Sequence, residues 1–386
     1  MPVPSECCGC GTRKRGWMGS RRIWWVSVWA GLVGCSGSAP LKGAQGPPVV
    51  ALVTIDTWRL DHFRADLTPR IWTLAKGGER YTQAWSPIGL TSPAHATMLT
   101  GKQPWEHGME ANNHHGFRLP AEVPRVLDHP EFDGIAKGAF VSAWPAGPAG
   151  GLDRGFDVFD GPESGERPGK VTVDRALEWL PTDAPAFIWV HVYEPHGPYE
   201  GLGATDAERY AEEVRKADKL LTPLLDALEA RGSLIVVAAD HGEVLLEEKC
   251  GRQHERSVHD AVLRVAMVRH GPGIAPAVVD EMVGLEDVPD LLLGKPATPD
   301  AFRLAESGIC EPGCSPGCTP IGVKGRDRVG IASDGARVHL RGGRVRTTGT
   351  PEKDLIDAVV AIPAVPDPRR EDVDRESLEK LGYQEP

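Results

Sequence analysis

Short apolar runs alternate with amphipathic stretches along the chain from Val49 onward. Three of these runs, Val49–Ile55, Ala186–Val192 and Leu234–Ala239, are bounded by turn residues, which is typical of strands buried in a parallel sheet. Between the second and third runs, residues 206–230 place apolar side chains at steps of three and four, which predicts a helix with one buried face. A strand, a helix and a strand in this order form a parallel crossover. The pattern therefore predicts an α/β fold with a mainly parallel sheet flanked by helices.

The strong strand pattern stops at about residue 290. Residues 328–332, 337–340 and 343–346 predict short antiparallel strands instead. We therefore expect a main domain over residues 49–290 and a small antiparallel C-terminal subdomain with a tail over residues 291–386. The length of 386 residues agrees with this division, because a single hydrophobic core usually stops growing at a smaller size.

The first 35 residues differ in character from the rest. Basic residues precede an apolar run over residues 23–33, which is typical of a signal peptide, and the run is about half of the roughly 20 residues that span a bilayer. The sequence Leu32-Val33-Gly34-Cys35 resembles a bacterial lipobox, in which Cys35 becomes a lipid-carrying N-terminus. We predict a signal peptide with a lipobox over residues 1–35, a flexible linker over residues 36–48, and export to the cell envelope, with the lipid anchor in the periplasm or outer membrane. An ordinary cleaved signal is the alternative.

Charge and cysteine content narrow the partners and the compartment. A net charge of −11 excludes a broad attraction to nucleic acid, which needs clustered cations on one face. Export to an oxidising compartment favours disulfides among Cys250, Cys310, Cys314 and Cys318, whose pairing the sequence leaves open.

Polar side chains follow each of the three predicted parallel strands. Asp56 follows the first, Glu194 and His196 follow the second, and Asp240 and His241 follow the third. Ligands of open α/β sheets bind outside the carboxyl ends of the strands. These side chains are therefore expected to converge on one crevice.

A hydroxyl group is predicted at the start of another helix. In the segment that runs from Thr91 to Gly101, Pro93 suits the first helical turn, and Thr91 or Ser92 is expected to cap it. Free N–H groups and the helix dipole favour an anion at such a position. A well-capped helix without a ligand is the alternative for this segment alone.

This segment resembles the sulfatase signature, with Thr91 at the nucleophile position and His95 at the position of the family's Arg. The Thr-x-Pro-x-His form is similar to that of nucleotide phosphodiesterases in the same alkaline phosphatase superfamily. Further matches keep the family's order over roughly residues 49–274. They lie at residues 53–57, 81–84, 151–157, 193–199, 240–243 and 263–273. The resemblance implies an alkaline-phosphatase-like fold and a hydrolase that acts on ester bonds.

The resemblance also implies roles for individual residues. The metal ligands are expected to be Asp56, Thr91, Asp240 and His241, whose oxygen and nitrogen atoms suit a divalent cation. The groups expected to act on the ester are Thr91 as nucleophile, His95 and Lys102 on the non-reacting oxygens, and His196 and His254 on the leaving group or the anion. The family's second acidic residue is replaced by Thr57 and its Asn by His241, which favours Mn²⁺ or Zn²⁺, with Ca²⁺ possible. A second metal at Glu194, His196 or His254 stays open.

The threonine departs from the sulfatase pattern, because Thr91 cannot be converted to formylglycine. Its ester must instead be attacked by water, as in phosphate-ester members of the superfamily, which argues against the sulfate substrate that the resemblance implies. The expected substrate is a sulfate or phosphate ester of a small molecule, glycan or lipid, with the choice between the two left open. The alternatives are a transferase that moves a phospho-group onto envelope lipid or glycan, and a lipoprotein that binds without cleaving. Residues 143–148 and 112–115 are candidate linings of the leaving-group pocket, and the sequence leaves the oligomeric state open.

Overall fold

The computed structural model describes residues 48–113, 116–245, 254–308, 327–341 and 343–363. The strands are β1 (Val49–Ile55), β2 (Glu79–Trp85), β3 (Ala136–Val141), β4 (Val158–Asp160), β5 (Ala186–Val192), β6 (Leu234–Ala239), β7 (Arg264–His270), β8 (Ala277–Val279), β9 (Val283–Gly284), β10 (Phe302–Glu306), β11 (Arg328–Ala332), β12 (Arg337–Arg341) and β13 (Arg344–Thr348). The helices are α1 (Pro69–Lys76), α2 (Thr91–Thr100), α3 (Pro104–His107), α4 (Gly169–Trp179), α5 (Asp206–Ala230), α6 (Asp260–Leu263), α7 (Val288–Leu292) and α8 (Lys353–Ala361).

The large sheet has the strand order β4-β3-β5-β1-β6-β7-β2-β8, with β9 paired to β2. Strand β1 lies at its centre and pairs in parallel with β5 on one side and β6 on the other. Strand β7 runs antiparallel to both of its neighbours, β6 and β2. All seven residues of β5 are buried, as a strand covered on both faces requires.

The bounds of β1, β5, β6 and α5 are those that the sequence pattern predicts, and α5 makes the predicted crossover between β5 and β6. The helix begins after Thr205, whose hydroxyl accepts a hydrogen bond from the Glu208 N–H while the Glu208 carboxylate accepts one from the Thr205 N–H. This capping box fixes the start of α5. Helices α1 and α4 pack against α5, and α2 packs against α3 and α7.

A separate four-stranded antiparallel sheet, β10-β11-β12-β13, follows the main sheet, and α8 packs against it. It confirms the predicted C-terminal antiparallel subdomain. Its inner residues Ala305, Val329 and Ile331 join a buried apolar cluster with Trp85 and Val262 of the main domain.

The predicted signal peptide and lipobox, the linker except for its last residue, and the four cysteines expected to form disulfides lie outside the described residues. Among the residues that the structure does describe, no helix has both the length and the apolar character needed to cross a membrane.

Candidate active site

The centre of the site is built where β1 and β6 end side by side. The register pairs Ile55 with Ala239, so the next residues, Asp56 and Asp240, leave the sheet together. The Asp240 Oδ1 atom accepts hydrogen bonds from the N–H groups of Thr57 (3.2 Å) and His241 (2.8 Å). Both carboxylates and the His241 ring are fully buried. The predicted convergence of the two strand ends is therefore present in the fold.

Asp56, Asp240 and His241 form a group that fits a metal ion. One ligand atom from each lies within 4.8 Å of the other two. Oδ1 of Asp56 and Oδ2 of Asp240 are buried without a hydrogen-bond partner. The Nδ1–H of His241 donates to the Gly242 carbonyl (3.0 Å), which leaves the Nε2 lone pair on the side of Asp240 Oδ2 (3.6 Å). Oxygen and imidazole ligands of this kind suit a divalent cation, and the donated Nδ1–H fixes the ring as in other metal-ligating histidines.

The electrostatics of the metal-free group favour the same conclusion. Burial raises the pKa of Asp56 to about 7. Burial, followed by the charge of Asp56, raises the pKa of Asp240 well above its usual range. Burial lowers the pKa of His241, which keeps the imidazole neutral and able to bind a cation. Two buried carboxylates that repel each other are stabilised by a positive ion between them.

Thr91 is the first residue of α2 and lies against this group. Its Oγ1 donates to Asp56 Oδ2 (3.3 Å) and lies 3.5 Å from His241 Nε2. The expectation that Thr91 or Ser92 caps the helix is wrong, because Leu90 is the N-cap residue and makes no side-chain cap. The Ser92 hydroxyl donates instead to the Pro145 carbonyl (2.6 Å). The Thr91 hydroxyl is thereby left to face the metal-binding group.

His95 and Lys102 do not lie where the sequence interpretation expects them. His95 is fully buried, with its Nδ1–H donated to the Thr91 carbonyl (2.8 Å) and its Nε2 3.0 Å from Thr54 Oγ1. His95 thus links the first turn of α2 to β1, and both of its ring nitrogens are occupied, so neither is left to bind an ester oxygen. Lys102 follows the far end of α2, and ten helical residues rise about 15 Å. The structure therefore does not bring Lys102 together with Thr91.

His191 is a site residue that the sequence interpretation misses. It lies inside β5, opposite Thr54 of β1, and is fully buried. Its Nδ1 lies 3.0 Å from Thr54 Oγ1, and its Nε2 lies 3.4 Å from Asp56 Oδ2. A histidine within an apolar run does not stand out in the sequence. Thr54 of β1 and Asp56 just after it are two residues apart, which places both on the face that His191 contacts.

His196 and His254 form a pair beside the metal-binding group. Each ring donates its Nδ1–H to a carbonyl, of Gly197 (2.7 Å) and of Gly89 (2.8 Å), and the two Nε2 atoms lie 3.2 Å apart. A hydrogen bond at this distance requires that one of the two Nε2 atoms carries a proton and the other accepts it. Burial alone would lower the pKa of His254, but the charges of Glu243 and Glu255, the hydrogen bond to the Gly89 carbonyl and the charge of Asp56 together raise this pKa above its ordinary value. Burial and the nearby His254 lower the pKa of His196 to about 3, so the proton resides on His254.

Glu194 and Asn112 have distinct places near the site. Glu194 Oε1 accepts a hydrogen bond from the Gly169 N–H (2.8 Å) at the start of α4, so this carboxylate oxygen is directed to a helix end.

Asn112 Oδ1 accepts a hydrogen bond from the Ser92 N–H (2.9 Å), which places Asn112 at the start of α2. Among the described residues, its Nδ2 donor has no protein partner in contact. Asn112 lies within one of the two loop segments proposed as pocket linings, and residues 114–115 of that segment lie outside the described residues.

The fold and the site together define an α/β protein with a buried hydroxyl beside a group of two carboxylates and an imidazole that could hold a metal ion, at the carboxyl edge of its sheet. Residues 48–294, more than half of the chain, match the family model for sulfatases. The chain belongs to the sulfatase family. The solved structures described below confirm the predicted alkaline-phosphatase-like fold class.

Two curated relatives are similar to part of the chain. The human ectonucleotide pyrophosphatase/phosphodiesterase family member 7 is 23% identical over 253 residues, which are 58% of this chain and 54% of that protein. Its rat counterpart is 24% identical over 245 residues, which are 56% of this chain and 55% of that protein. The chain thus spans about half the length of the curated relatives it matches.

Solved structures resemble the fold over most of the chain. A phosphonate monoester hydrolase from Silicibacter pomeroyi has a TM-score of 0.60 at 16% identity, covering 78% of this chain and 88% of that one. A 2-O GAG sulfatase has a TM-score of 0.61 at 15% identity, covering 87% and 91%. A phosphonate monoester hydrolase of Agrobacterium radiobacter has a TM-score of 0.60 at 17% identity, covering 87% and 94%. At these identities the likeness establishes the fold alone.

Proposed function

We propose that this chain is a metal-dependent hydrolase of phosphate or sulfate esters that uses Thr91 as its nucleophile. The observation that carries the proposal is the place of Thr91 Oγ1, 3.3 Å from Asp56 Oδ2 and 3.5 Å from His241 Nε2. A surface threonine that merely begins a helix would not share a buried space with two carboxylates and an imidazole. Membership of the sulfatase family supports the same chemistry.

Asp56, Asp240, His241 and the Thr91 hydroxyl would hold the cation. A divalent cation bound there lowers the pKa of a neighbouring hydroxyl and balances negative charge on the ester. The imidazole of His241 favours Mn²⁺ or Zn²⁺ over Ca²⁺, because Ca²⁺ prefers oxygen ligands. The bare Nε2 of His241 and the unpartnered carboxylate oxygens are the features of this chain that suit such an ion.

Besides the cation, hydrolysis requires a nucleophile, groups that stabilise the non-reacting oxygens of the ester, and a general acid for the leaving group. Thr91 Oγ1 passes its proton to Asp56 Oδ2 and forms a bond to phosphorus or sulfur while the bond to the leaving oxygen breaks, and the leaving oxygen takes the proton of the His254–His196 pair. Water then attacks the Thr91 ester and gives one proton back to the histidine pair, and Thr91 Oγ1 takes back the proton from Asp56 as the free acid is released. The N-terminal end of α2 and the Asn112 amide at that end are placed to stabilise the oxygens that do not react.

Phosphate esters are the preferred substrate class. Threonine carries a methyl group on its Cβ and cannot become the aldehyde from which sulfate leaves by elimination. Hydrolysis of a threonine ester is a second displacement at phosphorus or sulfur, which phosphate-ester members of the superfamily carry out. We propose a phosphate mono- or diester on a small molecule, glycan or lipid, with sulfate esters as the second choice.

Export and lipid anchoring remain part of the proposal. The basic and apolar N-terminal segment and the lipobox-like sequence before Cys35 support a lipoprotein of the cell envelope. Labelling cells with a radioactive fatty acid tests it. A Cys35→Ser variant that carries the same label as the wild type would contradict the anchor.

The test of the activity is a matched set of assays on the chain from residue 36 onward. Nitrophenyl phosphate, a nitrophenyl phosphodiester and nitrophenyl sulfate are offered with Mn²⁺, Zn²⁺ or Ca²⁺ to the wild type, Thr91→Ala and Lys102→Ala. We expect metal-dependent turnover that is lost in Thr91→Ala and retained in Lys102→Ala. Folded wild-type protein that binds no metal and cleaves none of the esters would contradict the proposal, and transfer of the phospho-group to an added alcohol in place of water would favour a transferase.

A further inference from the structure

The residue after Asp56 has an unusual backbone conformation. Thr57 has φ = 52°, and among the residues that the structure describes it is the only one other than glycine with a positive φ. A β-branched residue in this region is strained, typically by about 1–3 kcal/mol, and needs its surroundings to hold it there. In this conformation the Thr57 N–H reaches Asp240 Oδ1 at 3.2 Å. The strained turn therefore connects the two carboxylates that would bind the metal.

Tyr210 of α5 holds this turn from the other side. Its hydroxyl donates to the Thr57 carbonyl (2.6 Å) and accepts the Arg59 N–H (2.9 Å), so it bridges the two ends of the turn. The ring is fully buried and packs edge-to-face against His62 and Tyr199, with centroid distances of 4.8 and 5.5 Å. Burial raises the pKa of Tyr210, so the hydroxyl keeps the proton that it donates.

We propose that Tyr210 is a positioning residue of the metal site, which holds Thr57 in its left-handed conformation and thereby sets the orientation of Asp56 and Asp240. The inference rests on the proposed function, since it concerns the same cation. Tyr210 itself touches neither carboxylate, and it acts only through the backbone of the turn.

The consequence of losing the hydroxyl follows from the contacts. Without it, the Thr57 carbonyl and the Arg59 N–H lose a shared partner, and Thr57 is free to relax to a negative φ. That rotation moves the Thr57 N–H away from Asp240 Oδ1, which then keeps only the His241 N–H. It also turns the Asp56 Cα, because Asp56 and Thr57 share a peptide plane. Both ligands would leave the arrangement that the cation needs.

The experiment measures metal binding by calorimetry on protein stripped of metal, with Mn²⁺ and Zn²⁺ as the probes. Loss of a partner that orients metal ligands typically weakens metal affinity 10- to 100-fold, and we expect this for Tyr210→Phe. The matched control is Tyr81→Phe, which also removes a buried tyrosine hydroxyl, here bonded to Glu79 Oε2 (2.7 Å) on β2. Its metal affinity should equal that of the wild type.

A second substitution separates positioning from a general loss of packing. Glycine adopts φ = 52° without strain, so Thr57→Gly in the Tyr210→Phe background should return the affinity to within about threefold of the wild type. If Tyr210→Phe alone does not fold, the metal affinity of the double variant Thr57→Gly with Tyr210→Phe tests the inference. Affinity near that of the wild type supports the inference, and affinity weaker by tenfold or more overturns it.

The outcomes distinguish this inference from the proposed function. Wild-type protein that binds neither metal contradicts both. Wild-type protein that binds metal while Tyr210→Phe binds it equally well overturns the positioning role and leaves the hydrolase proposal intact.

Discussion

Removing one carboxylate of the metal-binding group should stabilise the metal-free protein. Burial raises the pKa of Asp56 to about 7, against an ordinary value of 3.8. At about 1.4 kcal/mol per pKa unit, an ionised Asp56 lowers the free energy of unfolding by about 4 kcal/mol. Asp56→Asn cannot ionise and keeps nearly the same shape, so it should avoid this penalty.

The sign of the pH dependence follows from the same shift. The folded protein holds the Asp56 proton to a higher pH than the unfolded chain does. The contribution of Asp56 to the free energy of unfolding therefore falls as the pH rises from about 4 to about 7, and the penalty is fully present above about pH 7. Buried histidines with lowered pKa values, such as His196 and His241, act in the opposite direction, so the effect of Asp56 is measured as the difference between the wild type and Asp56→Asn. We expect Asp56→Asn to be more stable than the wild type by about 2–4 kcal/mol at pH 8 and by only about 1 kcal/mol at pH 4.5.

Adding metal should reverse the order at pH 8. A cation at 1,000 times its Kd stabilises the wild type by about 4.1 kcal/mol, which exceeds this penalty, and the variant lacks a ligand for the cation. Urea unfolding followed by tryptophan fluorescence, with and without a chelator, measures all four cases. Asp183→Asn, which removes an exposed carboxylate, serves as the control and should show no gain. A stability gain of Asp56→Asn over the metal-free wild type that is the same at pH 4.5 and pH 8 would refute the reasoning.

Two further predictions concern the acid and the backbone of the site. His254→Gln should reduce hydrolysis of alkyl phosphate esters by about 10²–10⁴-fold, and that of nitrophenyl phosphate far less, since nitrophenolate leaves without a proton. Wild-type activity on alkyl esters should fall as the pH rises through the raised pKa of His254, and the variant should not show this fall. A pH–rate profile with both substrates measures both effects. Gly242→Ala should lower the free energy of unfolding by about 1–3 kcal/mol, because its Cβ would lie 1.9 Å from the Ala261 carbonyl oxygen, and unchanged urea unfolding would contradict this.

Much of the fold could be predicted because the central strands are recognisable from the local pattern of apolar residues. The runs that form β1, β5, β6 and α5 have the length and period of their elements, and short turns bound them. The antiparallel direction of β7 is not encoded locally, because a buried apolar run reads the same in either direction. It depends on how β6, β7 and β2 meet in space.

The site could be predicted in part for a similar reason. Asp56, Asp240 and His241 stand directly after strands, so topology alone brings them together. His191 has no such marker, since a buried histidine inside an apolar strand can equally be a satisfied core residue. The left-handed Thr57 could not be foreseen either, because nothing local favours φ = 52° at a threonine. The misplacement of Lys102, by contrast, could have been avoided by counting the rise of α2.

The contact between Thr57 and Asp240 joins residues 183 positions apart, and this distance has a consequence for synthesis. At roughly 5–20 residues per second, a ribosome completes β6 about ten seconds or more after β1. A chain that ends before β6 has only one of the two carboxylates, so it could not hold the proposed metal, and the ion could not guide early folding. Metal uptake would therefore report that the two halves of the central sheet have met, and premature chain fragments would leave the ribosome without it.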